Sequence, residues 1–183
     1  MTLGFAGLAL AATLIPDASL LLRLDPMSIA HFFRPRWYIG LIGHVFAHAN
    51  LAHLVGNIAM LLLLGPGLER ALGGKRYALF LGCLTLLTGL SASIILVFTQ
   101  KSLIGTSGLI FALIFVHSLR DAKRHEVPLT VVLLAVLWGT KELLGLFDSS
   151  HVANSAHLNG ALWGFLFGMY LLPAFSRRAV PLP

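Results

Sequence analysis

The sequence predicts an all-α polytopic membrane protein, and three observations carry that prediction. Of its 183 residues, 57% are hydrophobic and only 11% are charged, with a mean hydropathy of +0.87; a soluble domain has about a quarter of its residues charged. The apolar residues form long runs broken by charges, prolines and glycines. The basic residues lie in short groups between those runs, so the net charge of +6 fits membrane orientation better than a nucleic-acid surface. The chain reads as one membrane domain, 1–183.

A helix needs about 20 apolar residues to cross a bilayer. Six segments qualify, at about 2–22, 51–68, 77–98, 107–119, 127–146 and 156–174. The first has no Lys or Arg before Arg23, so it lacks the charged start of a signal peptide. It reads as a retained helix, although Ala9-Leu10-Ala11 resembles a cleavage site. The loop that follows, about 23–50, carries Pro26, Phe32, Phe33, Pro35, Trp37 and Tyr38 beside arginines, the composition of an element lying among headgroups. The third segment contains the single cysteine, Cys83, which has no intramolecular disulfide partner. The fourth is short. That suits a helix starting below the membrane surface at the floor of a water-filled cavity, because irregular backbone at that depth must line water or protein.

Charge sets the expected orientation. Arg70, Lys75, Arg76, Arg120, Lys123, Arg124, Arg177 and Arg178 lie on one side, against Arg23, Arg34, Arg36, Lys101 and Lys141 on the other. Eight against five puts both termini in the cytoplasm, and Ser107 and His157 then share a depth just inside the outer face.

Those two residues are the candidate reactive pair. Gly105-Thr106-Ser107-Gly108 puts a small hydroxyl beside glycines at the start of the fourth segment. Ala156-His157 opens the sixth, followed by Gly160, Gly164 and Gly168. A serine near glycine is by itself an ordinary helix-packing position in membranes, whereas an ionisable residue within a span points to function. Together they supply a nucleophile and a base. A third element is the run His44 to Asn57, in which His53 and Asn57 are four apart and share a helix face. Both can donate hydrogen bonds to a developing oxyanion. The same run also reads as polar glue between helices, or as a metal site from His44 and His48, four apart on one possible helical face. Zinc wants three or four convergent ligands and no Asp or Glu accompanies them, so neither a metal nor another cofactor is expected.

In this order, His-x-x-x-Asn, Gly-x-Ser-Gly and Ala-His-x-x-Gly-x-x-x-Gly resemble the rhomboid intramembrane serine proteases, in their compact bacterial six-helix form, over roughly residues 37–174. The resemblance implies a six-helix bundle with its site in a water-filled cavity open to the outer face of a bacterial inner membrane. It assigns Ser107 as nucleophile and His157 as base, with no aspartate. His53, Asn57 and the backbone about Gly105, Thr106 and Ser107 would stabilise the oxyanion. Phe111, Gly160, Gly164 and His48 would support the pair, and Glu69 and Gly73 match structural positions. The substrates implied are transmembrane segments of other proteins in the bilayer, which must unwind to expose a carbonyl. Two departures stand out: the family's Trp-Arg pair is reversed here as Arg36-Trp37, and the aromatic four residues after the nucleophile is Phe111 rather than Tyr.

Two other readings compete. A silent relative that only binds transmembrane helices would have no need of both Ser107 and His157. A proton-relaying transporter would spread ionisable residues through the bundle, whereas here they cluster near one face.

Overall fold

A computed structural model describes residues 1–28, 33–99, 101–120, 129, 132, 133, 136, 140 and 155–171. Over these residues the fold is helical: α1 (Thr2–Leu14), α2 (Ala18–Leu22), α3 (Pro35–Gly43), α4 (Leu51–Leu72), α5 (Gly74–Thr99), α6 (Ser107–Arg120) and α7 (Ser155–Leu166). A π-helical turn, Phe167–Leu171, continues α7. No strand occurs among the described residues, only an isolated antiparallel bridge between Leu24 and Leu103. The fifth expected segment, about 127–146, lies outside the described residues apart from five scattered helical positions.

The expected first helix over 2–22 is instead two. Pro16 has no N–H and restricts the residue before it, so Ile15 turns extended (φ −81°, ψ 123°). Asp17 then takes a left-handed conformation (φ 59°) and α2 sets off afresh. The second segment errs the other way, continuing through Pro66 to Leu72. Gly73, at φ 76°, ends it in a conformation that favours glycine. Residues 51–72 and 74–98 are long and apolar enough to cross a membrane. Their outward side chains include Leu63, Leu79 and Phe98, all exposed; an apolar surface this extensive suits hydrocarbon.

α6 is the centre of the bundle. At 1.5 Å per residue its 14 residues reach about 21 Å, and nine of them are buried, from Ser107 through Val116. Leu109, Leu113 and Val116 join Leu61 and Leu68 of α4 and Tyr77, Phe80 and Leu84 of α5 in one core. His117 Nε2 donates to the Leu64 carbonyl at 2.8 Å, tying the end of α6 to α4.

α7 runs parallel to α6, glycine face inward. A Cβ placed on Gly160 would overlap the Gly108 backbone, 2.7 Å from its carbonyl carbon; one on Gly164 would lie 2.6 Å from the Ala112 oxygen; one on Gly168 would meet Leu119. Hydrocarbon gives no hydrophobic drive between helices, so backbone-to-backbone contact of this kind is the attraction available.

The first loop closes the other end. Trp37 and Leu41 of α3 pack with Leu24, Ala92, Leu96 and Leu103 in a second buried cluster. The described part of the loop therefore presses one face on the bundle. Phe33, Tyr38, Ile39 and Ile42 face outward.

Candidate active site

Gly105 fixes where α6 begins. Its φ of 107° is open to glycine alone, and a Cβ there would strike the His53 ring at 2.8 Å and stand 3.5 Å from Asn57 Nδ2. The turn before Ser107 thus rests directly on the face of α4 that carries His53 and Asn57, the two residues that helical spacing pairs. Asn50 caps α4, its side-chain oxygen accepting from the His53 backbone N–H at 2.8 Å.

The backbone of this turn is held from the first loop. Gly105 N–H donates to the His44 carbonyl at 2.8 Å. The Thr106 hydroxyl donates to the Val45 carbonyl at 2.7 Å and lies 3.4 Å from His48 Nε2. Thr106 therefore turns its hydroxyl toward the loop. Ser107, almost wholly buried, is the first residue of α6. The free N–H groups of a helix start favour negative charge there.

His157 reaches the same place from α7. Its ring stacks on Phe111, centroids 4.7 Å apart and planes at 23°. Phe111 follows Ser107 by one turn, so the imidazole lies on the face of α6 that Ser107 opens. Gly160 and Gly164, one and two turns along α7, are the positions that admit this approach.

The Asn57 side chain is buried, and its Nδ2 finds no hydrogen-bond partner among the described residues. A buried donor left unmade costs about 1–3 kcal/mol. Beside the Ser107 turn, that donor is available for an oxygen that becomes negative.

His44 and His48 do not share a helix face. α3 stops at Gly43, so His44 caps it, its Nδ1 at 3.1 Å from the carbonyls of Gly40 and Leu41. His48 sits in the following turn, where Nδ1–H donates to the Phe46 carbonyl at 3.2 Å and the ring meets His53 edge-on at 5.2 Å. Burial pushes the His44 imidazole down to about 4. Burial, with the neighbouring charge of His53 second, does the same for His48, to about 4. Both are neutral near pH 7.

Sequence reasoning passed over two residues here. Asn159, two residues after His157, is buried, and its Nδ2 has no partner among the described residues; its amide in a mostly apolar helix is the available signal. Asp25 sits at the centre of a polar cluster beside the Ser107 loop, and no spacing in the sequence announces it.

A family model described as the rhomboid domain matches residues 35–174. Rhomboid-related protein 1 of Caenorhabditis elegans is 31% identical over 141 residues, covering 70% of this chain and 38% of that protein. RHOMBOID-like protein 5 of Arabidopsis thaliana is 29% identical over 145 residues, 75% of this chain and 44% of its own length. YdcA of Bacillus subtilis (strain 168), whose name provisionally describes a rhomboid protease, is 28% identical over 149 residues, 75% of this chain and 69% of its own. The chain thus spans about two fifths of the animal and plant relatives it matches. With the domain match running from α3 past the glycine face of α7, the chain belongs to the rhomboid family of integral membrane proteins.

Proposed function

We propose that the chain is an intramembrane serine protease in which Ser107 attacks and His157 serves as general base and then acid. The observation that carries this reading is the stacking of His157 on Phe111, one helical turn from Ser107. A dyad without a carboxylate needs its imidazole oriented by packing, and a flat aromatic contact supplies that. Serine attack requires a base that is neutral near pH 7.

The oxyanion is received by Asn57 Nδ2, His53 and the N–H groups at the start of α6. The Asn57 donor, without a partner among the described residues, supports this assignment, since a preorganised donor gains its partner only as charge develops. Acyl transfer then follows in two steps. The Ser107 oxygen bonds to the substrate carbonyl carbon, its proton passes to His157, and the amide nitrogen leaves with that proton. Water, deprotonated by His157, hydrolyses the ester and restores Ser107.

The whole chain forms one six-helix domain whose water-filled cavity opens toward the outer face, with both termini cytoplasmic. The eight-to-five charge asymmetry supports that orientation, and a bacterial inner membrane is its setting. Substrates are transmembrane or membrane-proximal segments of other proteins. Helix-breaking residues near the scissile bond are favoured, because helical hydrogen bonds hide the carbonyl. Cleavage of a single-span substrate by wild-type protein, and its loss in Ser107→Ala and His157→Ala variants that remain folded, tests the reading. Turnover by folded Ser107→Ala at the wild-type rate would overturn it.

A further inference from the structure

Between Ser102 and Ser107 the chain is stitched to the first loop through Ser102, Leu103, Gly105 and Thr106. Ser102 Oγ donates to Asp25 Oδ1 at 3.0 Å. Leu103 and Leu24 exchange both backbone hydrogen bonds, at 2.8 and 3.0 Å. Gly105 and Thr106 hold the carbonyls of His44 and Val45. The Asp25 contact joins two side chains, and its far end is itself fixed. Arg36 donates to Asp25 Oδ2 and to the Leu20 carbonyl. Arg23 Nε pairs with Oδ1 at 3.1 Å. Trp37 Nε1 donates to the Asp25 carbonyl at 3.2 Å. The Arg36-Trp37 pair thus converges on one residue, Arg36 on its largely buried carboxylate and Trp37 on its backbone carbonyl, and Asp25 hands the constraint to Ser102, five residues before the nucleophile.

We propose that Asp25 is a positioning residue for Ser107, acting through Ser102 on the loop that opens α6. The inference rests on the protease reading above. A carboxylate whose Oδ2 is held by Arg36, with Arg23 paired by charge against Oδ1, is a stiff acceptor, and a charge-assisted bond such as that from Arg36 is shorter and stronger than a neutral one. Burial pushes the Asp25 carboxyl up, but the Arg36 and Ser102 hydrogen bonds, with the charges of Arg36 and Arg23, outweigh it and hold the group below its ordinary value. It stays ionised across the working range. Ser107 must sit within a fraction of an ångström of attack geometry, so slack introduced five residues upstream reaches the reacting oxygen as misplacement. The fold tolerates such slack, because the buried pair Leu24 and Leu103 still anchors the loop.

The test compares wild type with Asp25→Ala, Ser102→Ala, Ser102→Thr and the double variant Asp25→Ala/Ser102→Ala. The measurements are Ser107 labelling by a fluorophosphonate, kcat and KM on a single-span substrate, and melting temperature. Labelling and kcat, counted per folded molecule, are expected to fall about tenfold in both alanine variants, since a shift near 1 Å costs on the order of a hundredfold. KM stays within about twofold, the signature of geometry lost rather than binding lost. The double variant falls no further than the worse single one, because Asp25→Ala has already lost the Ser102 contact, and Ser102→Thr, which keeps the hydroxyl, recovers the rate. Folded alanine variants that label at the wild-type rate, or losses that multiply in the double variant, would overturn the proposal. Should Asp25→Ala not fold, the Ser102 pair decides alone. A wild-type protein that is not labelled at all would instead remove the protease reading, and this inference with it.

Discussion

The His157 imidazole lies flat on the Phe111 ring, and Phe111 follows Ser107 by one turn of the same helix. Phe111 therefore fixes the His157 ring relative to Ser107. The glycine face of α7 sets how closely it does so, since Gly160 and Gly164 bring the α7 backbone onto Gly108 and Ala112.

Phe111→Leu separates orientation from packing. A near volume-conserving apolar exchange usually costs under about 1.5 kcal/mol, so the variant folds. Without the flat contact, kcat on a single-span substrate is expected to drop on the order of tenfold with KM little changed. An unchanged kcat would mean that the ring of Phe111 does not orient His157.

Glycines of one chain should respond oppositely to the same added methyl. Gly160→Ala and Gly164→Ala drive a Cβ into backbone, and overpacking of this kind costs about 1–3 kcal/mol. Gly82→Ala, on the third span, meets nothing within 4 Å and gains about 0.5–1 kcal/mol of helix preference. Melting of detergent-solubilised variants checks the contrast; equal shifts would deny the close contact of α6 and α7.

Much of this arrangement was legible in the sequence because its signals are local. Gly-Thr-Ser-Gly marks the start of α6 to the residue, and the His53–Asn57 spacing gives one helix face directly. The breaks were harder. Pro16 ends α1 and Pro66 leaves α4 unbroken, and local composition does not separate the two, because neighbouring helices decide whether a missing N–H is tolerated. His44 and His48 looked like i, i+4 partners, but the helix ends at Gly43. Asp25 and Ser102 meet across 77 residues, a distance over which a single sequence carries no pattern. The same holds for Asn159, whose burial is set by packing.

Oxyanion stabilisation gives a graded prediction. Asn57→Ala and His53→Ala should each lower kcat by about a hundred- to a thousandfold, the usual range for one lost donor, and neither should abolish turnover, because the N–H groups at the start of α6 remain. Wild-type activity in both variants would place the oxyanion elsewhere.

Stability should fall on acidification above the range where carboxylates titrate. The unfolded chain protonates His44 and His48 at their ordinary 6.5, whereas burial holds them near 4 in the fold. Between those values the unfolded state binds more protons, so stability is complete above 6.5 and declines as the pH drops toward 4. Melting temperature measured from pH 7.5 to 4.5 should show this decline, with a shallower slope in His48→Gln. A flat profile would mean these rings are not buried as neutral groups.

The most direct test of the central claim is covalent. Purified protein is treated with a fluorophosphonate, and the modified residue is located by mass spectrometry in wild type, His157→Ala and Ser107→Ala. A serine activated by His157 carries the label at Ser107 in the wild type, loses nearly all of it in His157→Ala, and shows none in Ser107→Ala. Labelling of Ser107 that is equally fast without His157, or a wild-type protein that stays unmodified while cleaving its substrate, would contradict the account.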